Sequence, residues 1–75
     1  MHIIARPAEY HARLRVIEAM SQVGASLVTE LTAGQMNARD GTLMLFASET
    51  HQWFARVTER GAVTLSEAEE RNDHD

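Results

Sequence analysis

The chain's four histidines, His2, His11, His51 and His74, are its most versatile titratable side chains. A helical metal site places two of them four residues apart, as in His-Glu-x-x-His. No pair here has that spacing. His2 and His74 lie near the ends, His51 falls in a polar turn, and His11 sits on a polar helix stripe. There is no cysteine, so thiolate zinc chemistry and disulfides are excluded. Nucleophilic catalysis needs a hydroxyl or thiol beside an oriented base. Ser48 and His51 are close in sequence, but no third member is evident and there is no Gly-x-Ser-x-Gly elbow. Carboxylates gather at Glu67, Glu69, Glu70, Asp73 and Asp75, in a stretch with almost nothing apolar to wall a pocket. No glycine-rich phosphate loop is present. The expectation is a chain that is not an enzyme, with no catalytic residue, no metal ligand and no cofactor.

The remaining chemistry is that of binding. Gln35, Arg39, Met44, Phe46, Phe54 and Arg56 are types that recur at protein interfaces: aromatic side chains, methionine and arginine above all. If the second half of the chain is a sheet with one face turned to solvent, these residues share that face. Phe46 then lies opposite Phe54 and Met44 opposite Arg56. The result is an apolar spot rimmed by Arg39, Arg56 and Gln35, a docking surface for a protein partner. The spot would bury against the partner while the arginines pair with acidic or carbonyl groups.

That grouping requires particular elements. Pro7 suits a first helical position, and the residues up to about Val23 suit a helix that Gly24 stops. At 100° per residue, Tyr10, Leu14, Ile17 and Met20 fall on one side, widened by Val16, Val23, Ala8, Ala12 and Ala19. The polar stripe of His11, Arg15, Glu18 and Gln22 is narrow. So wide an apolar arc exceeds what one sheet face needs, which raises the expectation of a homodimer.

After Gly24 turn signals recur at Asp40-Gly41, Glu49-Thr50-His51 and Glu59-Arg60-Gly61, a rhythm that reads as a β-meander. Asp40-Gly41 as a two-residue turn pairs Met36 with Leu45. A three-residue loop at 49–51 pairs Leu45 with Ala55. A turn at 59–61 pairs Val57 with Val63 and Ala55 with Leu65. The helix-facing side would then carry Leu43, Leu45, Ala47, Trp53, Ala55 and Val57. Residues 26–32 have strand-like branching, with Leu27, Thr29 and Leu31 on one face and a bulge at Gly34. The expected fold class is therefore α+β: one N-terminal α-helix packed on an antiparallel β-meander of three to four strands. A short N-terminal strand at His2–Ala5 is an optional addition.

A competing outline makes Ser48–Arg60 a helix, capped by Ser48 and stopped at Gly61. With Leu31–Met36 as an earlier helix, this is a winged-helix DNA-binding regulator reading the major groove through Gln52, Arg56 and Arg60. That is a thin set of contacts.

Composition bounds the rest. Seventy-five residues make one domain, expected over 1–66, followed by an acidic tail at 67–75. The tail is expected to be disordered beyond a helical turn that a Ser66-x-x-Glu69 capping box could start. A chain this short buries roughly 60–65% of its unfolded surface, so self-association is a natural reinforcement. Seven arginines, no lysine and eleven acidic residues leave a net charge of −4, which disfavours nonspecific nucleic-acid binding. Nothing approaches the roughly 20 apolar residues of a membrane span, and the opening residues do not form a signal peptide. The expectation is a small acidic cytoplasmic protein: an adaptor, assembly factor or inhibitor of a larger machine. An inhibitor encoded by a phage or mobile element is one concrete version.

Overall fold

A computed structural model of the chain describes residues 7–68. The order of elements is α1 (Pro7–Ser21), β1 (Ser26–Thr32), α2 (Ala33–Met36), β2 (Thr42–Ala47), β3 (Gln52–Val57) and β4 (Val63–Glu67). The strands form one antiparallel sheet in the order β1-β2-β3-β4, with α1 packed on one face. The fold is the expected α+β arrangement of an N-terminal helix on a β-meander. The optional strand at His2–Ala5 lies outside the described residues.

Helix α1 starts at Pro7, whose missing N–H costs nothing in the first turn, with Glu9 beside the positive end of the helix dipole. It ends where Gly24 adopts a left-handed φ of 79°. There Ala25 N–H donates to Met20 O and Gly24 N–H to Ser21 O, the paired bonds of a Schellman stop. Ala12, Val16 and Met20, four residues apart, are the helix's buried stripe. The stripe is narrower than the sequence arc implied: Tyr10, Leu14 and Val23 are exposed. Two polar contacts fix the helix across the sheet. Arg13 Nη2 donates to both carboxylate oxygens of Glu30 on β1, at 2.8 and 2.6 Å. Thr42 Oγ1, buried at the start of β2, donates to Glu9 Oε2 at 2.7 Å.

The sheet departs from the expected register in three places. First, Asp40-Gly41 does not close a hairpin. Thr32 pairs with Thr42, and the connection between them holds the single turn of α2. Thr32 and Gln35 cap that turn reciprocally, and Asn37 ends it in the left-handed conformation. Second, the bulge lies between Leu27 and Thr29 and not at Gly34, so Leu27 packs with the core while Thr29 and Leu31 face away from α1. Third, the β2–β3 turn is one residue longer than expected. Ser48 Oγ accepts from the backbone N–H groups of Thr50 and His51, and Ser48 N–H donates to His51 O, closing a turn over 48–51. Phe46 therefore pairs with Trp53 and Leu45 with Phe54. Because side chains alternate across a strand, this shift of one residue turns β2 over relative to β3.

The core consequently holds Met44 and Phe46 with Ala55, Val57 and the α1 stripe, whereas Leu43, Leu45 and Ala47 face outward. The pairing of β3 with β4 matches expectation, Val57 with Val63 and Ala55 with Leu65, and Gly61 supplies the left-handed turn position at φ 89°. The winged-helix outline is overturned, since Gln52–Val57 is a strand. Ser66 lies within β4 and does not start a helical turn, and Ala68 N–H still bonds Gln52 O, so the sheet runs past residue 66. The remaining tail residues lie outside the described part.

Candidate docking interface

The face of the sheet turned away from α1 is the candidate site. It is built in rows across the strands. One row runs Thr29, Leu45, Phe54 and Ser66; the next runs Leu31, Leu43, Arg56 and Thr64. Leu45 beside Phe54 and Leu31 beside Leu43 make the apolar centre, with Ala47 at one end. Phe54 is 37% exposed and Leu31 38%; Leu43 and Leu45 are half-buried by their neighbours on the same face. Helix α1 packs on the opposite side, against Met44, Phe46, Ala55 and Val57.

Why the face is apolar follows from β2, Thr-Leu-Met-Leu-Phe-Ala, an inner strand that is apolar on both sides. A solvated antiparallel face ordinarily alternates with polar residues. Here β1 and β3 contribute one large apolar outward residue each, and β2 two.

Six residues were expected to form the docking spot, and the structure separates them. Phe54 is on the outer face as expected. Met44 and Phe46 are not: both are fully buried beneath α1, because the longer turn at Ser48–His51 inverts β2. Leu43 and Leu45 stand in their places. Arg56 is at the rim but already engaged, its guanidinium donating to Asp40 O at 2.8 Å and to Val57 O at 3.3 Å. Gln35 spends its side-chain oxygen on Thr32 N–H, 2.8 Å away, inside the α2 cap. Arg39 is exposed in the loop between α2 and β2. The signal for Leu43 and Leu45 was Ser48, a residue that favours the first position of a turn by accepting from N–H groups two and three residues on.

One further cluster has the residue types of a catalytic relay. His51 Nδ1 lies 2.8 Å from Thr50 Oγ1, its Nε2 lies 3.4 Å from Glu67 Oε2, and its ring stacks on Trp53 at 5.7 Å. His51 and Glu67 side chains are each 54% exposed. Water competes for every partner there, so the cluster ties the β2–β3 turn to β4 without the enclosed, oriented base that activates a hydroxyl. Among the described residues, no three His, Asp or Glu side chains converge in a metal-binding geometry, and no helix is long and apolar enough to cross a membrane. Comparisons with protein-family models, curated proteins and solved structures gave no match.

Proposed function

We propose that the chain is a small noncatalytic protein-binding module of the cytoplasm, an adaptor, assembly factor or inhibitor of a larger machine, docking through the outer face of its sheet. The observation that carries this reading is the pair of adjacent apolar rows, Leu45–Phe54 and Leu31–Leu43, on the face opposite α1, where Leu31 and Phe54 are exposed. Contiguous apolar surface on a small domain marks a site of association, and aromatic side chains near its centre supply most of the binding energy. The fitting partner is a protein surface that brings aliphatic or aromatic side chains to Phe54 and Leu45, with an acidic group within reach of Arg39. Arg56 contributes by holding the rim in shape and not as a free cation.

The test is retention of a partner from nuclease-treated lysate on immobilised wild type, Phe54→Asp and Tyr10→Asp, each first shown to be folded by circular dichroism. A protein held by wild type and Tyr10→Asp but lost with Phe54→Asp supports the outer face. Equal retention by all three, or loss with Tyr10→Asp alone, overturns the reading, and the second outcome moves the working surface to the helix.

A further inference from the structure

We infer that the open edge of β4 pairs with β4 of a second copy, so that one continuous sheet runs through a two-fold dimer. Among the described residues β4 is an edge strand with all of its residues exposed, Leu65 at 51%. Which backbone groups it leaves free follows from its ladder to β3. Thr58 N–H donates to Ala62 O and Ala68 N–H donates to Gln52 O. Hydrogen-bonded pairs alternate along an antiparallel ladder, so Thr64 and Ser66 turn their N–H and C=O towards β3. The N–H and C=O of Val63, Leu65 and Glu67 therefore point to the open edge.

Those groups match a copy of themselves. A two-fold axis at Thr64 sets Val63 opposite Leu65 of the partner copy, and both are residues whose N–H and C=O point outward, so each pair exchanges reciprocal bonds. The same register places the Val63 and Leu65 side chains of both copies together on the α1 side. There each already borders an open apolar groove of about 250 Å³ between α1 and β4, lined also by Ala12, Val16 and Ala19. It also brings Glu67 of the partner copy opposite Gly61, beside the exposed Arg60, which is charge complementarity at both ends of the seam.

The two edges of the sheet differ in protection. β1 is bent by its bulge at Leu27–Thr29 and braced by the Arg13–Glu30 ion pair. β4 has no bulge, no proline and no basic residue, and its one charged side chain, Glu67, stands at the strand's end. The seam is short. It buries less than the roughly 800 Å² per partner of a standard interface, so the dimer is concentration-dependent.

The experiment is sedimentation equilibrium of wild type from micromolar to millimolar concentration, alongside Leu65→Pro, Leu65→Lys and Phe54→Asp. Leu65 N–H makes no bond to β3, so proline there removes no bond within the monomer. The lysine variant serves if the proline one fails to fold. Wild type is expected to pass from 8.4 kDa to twice that mass. Both Leu65 variants should raise the dissociation constant by about tenfold or more, with Phe54→Asp unchanged. The inference is overturned if wild type stays monomeric at millimolar concentration, as it would if another segment of the same chain covered the edge. It is equally overturned if the dimer survives both Leu65 variants, or is lost with Phe54→Asp alone. None of these outcomes depends on whether the outer face retains a partner.

Discussion

Two phenylalanines on neighbouring strands provide a sharp test of the register. Phe46 is fully buried and Phe54 is 37% exposed on the opposite face. Truncating Phe46 to alanine removes a ring from a close-packed core and leaves a cavity that the surroundings only partly fill, a loss of about 3–5 kcal/mol. Phe54→Ala forfeits only the buried part of its transfer energy, and the gap opens to water, so roughly 1–2 kcal/mol is expected. A domain of this length has a total stability of about 4–11 kcal/mol, so the first change consumes much of it and the second does not. In thermal terms, Phe46→Ala should lower Tm by about 12 °C or more at roughly 4 °C per kcal/mol. Urea unfolding followed by Trp53 fluorescence is the assay. Trp53 is the single tryptophan, is partly buried, and pairs with Phe46 across the ladder. Phe46→Leu replaces Phe46→Ala if the latter is unfolded in water. Leu45→Ala completes the set, since a three-residue turn at 49–51 would bury Leu45 and expose Phe46. If Leu45→Ala or Phe54→Ala costs more than Phe46→Ala, the four-residue turn and the inversion of β2 are wrong.

The other stability predictions concern the groups that hold the rim and the helix. A Cβ at Gly41, where φ is +93°, would run into the Arg56 guanidinium and lie 2.5 Å from Val57 O, whereas at Gly24, φ +79°, it would meet nothing within 4 Å. Both alanine substitutions incur a backbone strain of about 1–2 kcal/mol. Only Gly41→Ala should add the cost of moving a strand backbone and freeing Arg56, so equal unfolding free energies for the two would refute the crowding argument. In the Arg13–Glu30 pair one guanidinium nitrogen, Nη2, reaches both carboxylate oxygens, and the side chains are only 26% and 27% exposed. A double-mutant cycle with Arg13→Met and Glu30→Gln should return a coupling of about 1 kcal/mol that falls with added salt. No coupling at low ionic strength would mean that the pair does not fix α1 to β1.

The fold was legible where local chemistry and patterning agreed. Pro7, the Ala-rich run and Gly24 specify α1 at both ends, and the 59–61 turn with Gly61 sets the β3–β4 register. Legibility failed where the pattern was degenerate. β2 is apolar at almost every position, so its inward and outward sets look alike, and only the turn length decides between them. Asp40-Gly41 resembles a tight hairpin turn, but the Thr32–Gln35 capping box competes for the preceding residues and wins them for a helical turn. The candidate site inherits both failures. A turn one residue shorter puts Met44 and Phe46 on the wrong face, whereas Phe54, on a strand whose pairing with β4 follows from the 59–61 turn, falls on the right one.

The outer face and the β4 edge differ in direction, and that difference bears on how they would work together. The face presents side chains perpendicular to the sheet; the edge presents backbone groups within its plane. A two-fold axis at Thr64 stands perpendicular to the sheet and keeps both α1 helices on one side, because residues directly opposite in a ladder point the same way. The outer faces of the two copies then lie together on the other side. Self-association through β4 leaves Leu45 and Phe54 untouched and doubles the surface they belong to. A partner with a repeated or symmetric apolar patch would meet two docking faces at fixed spacing, and its second contact would form intramolecularly at high effective concentration. A weak edge seam and a modest apolar face can in this way produce a tight complex that neither surface yields alone.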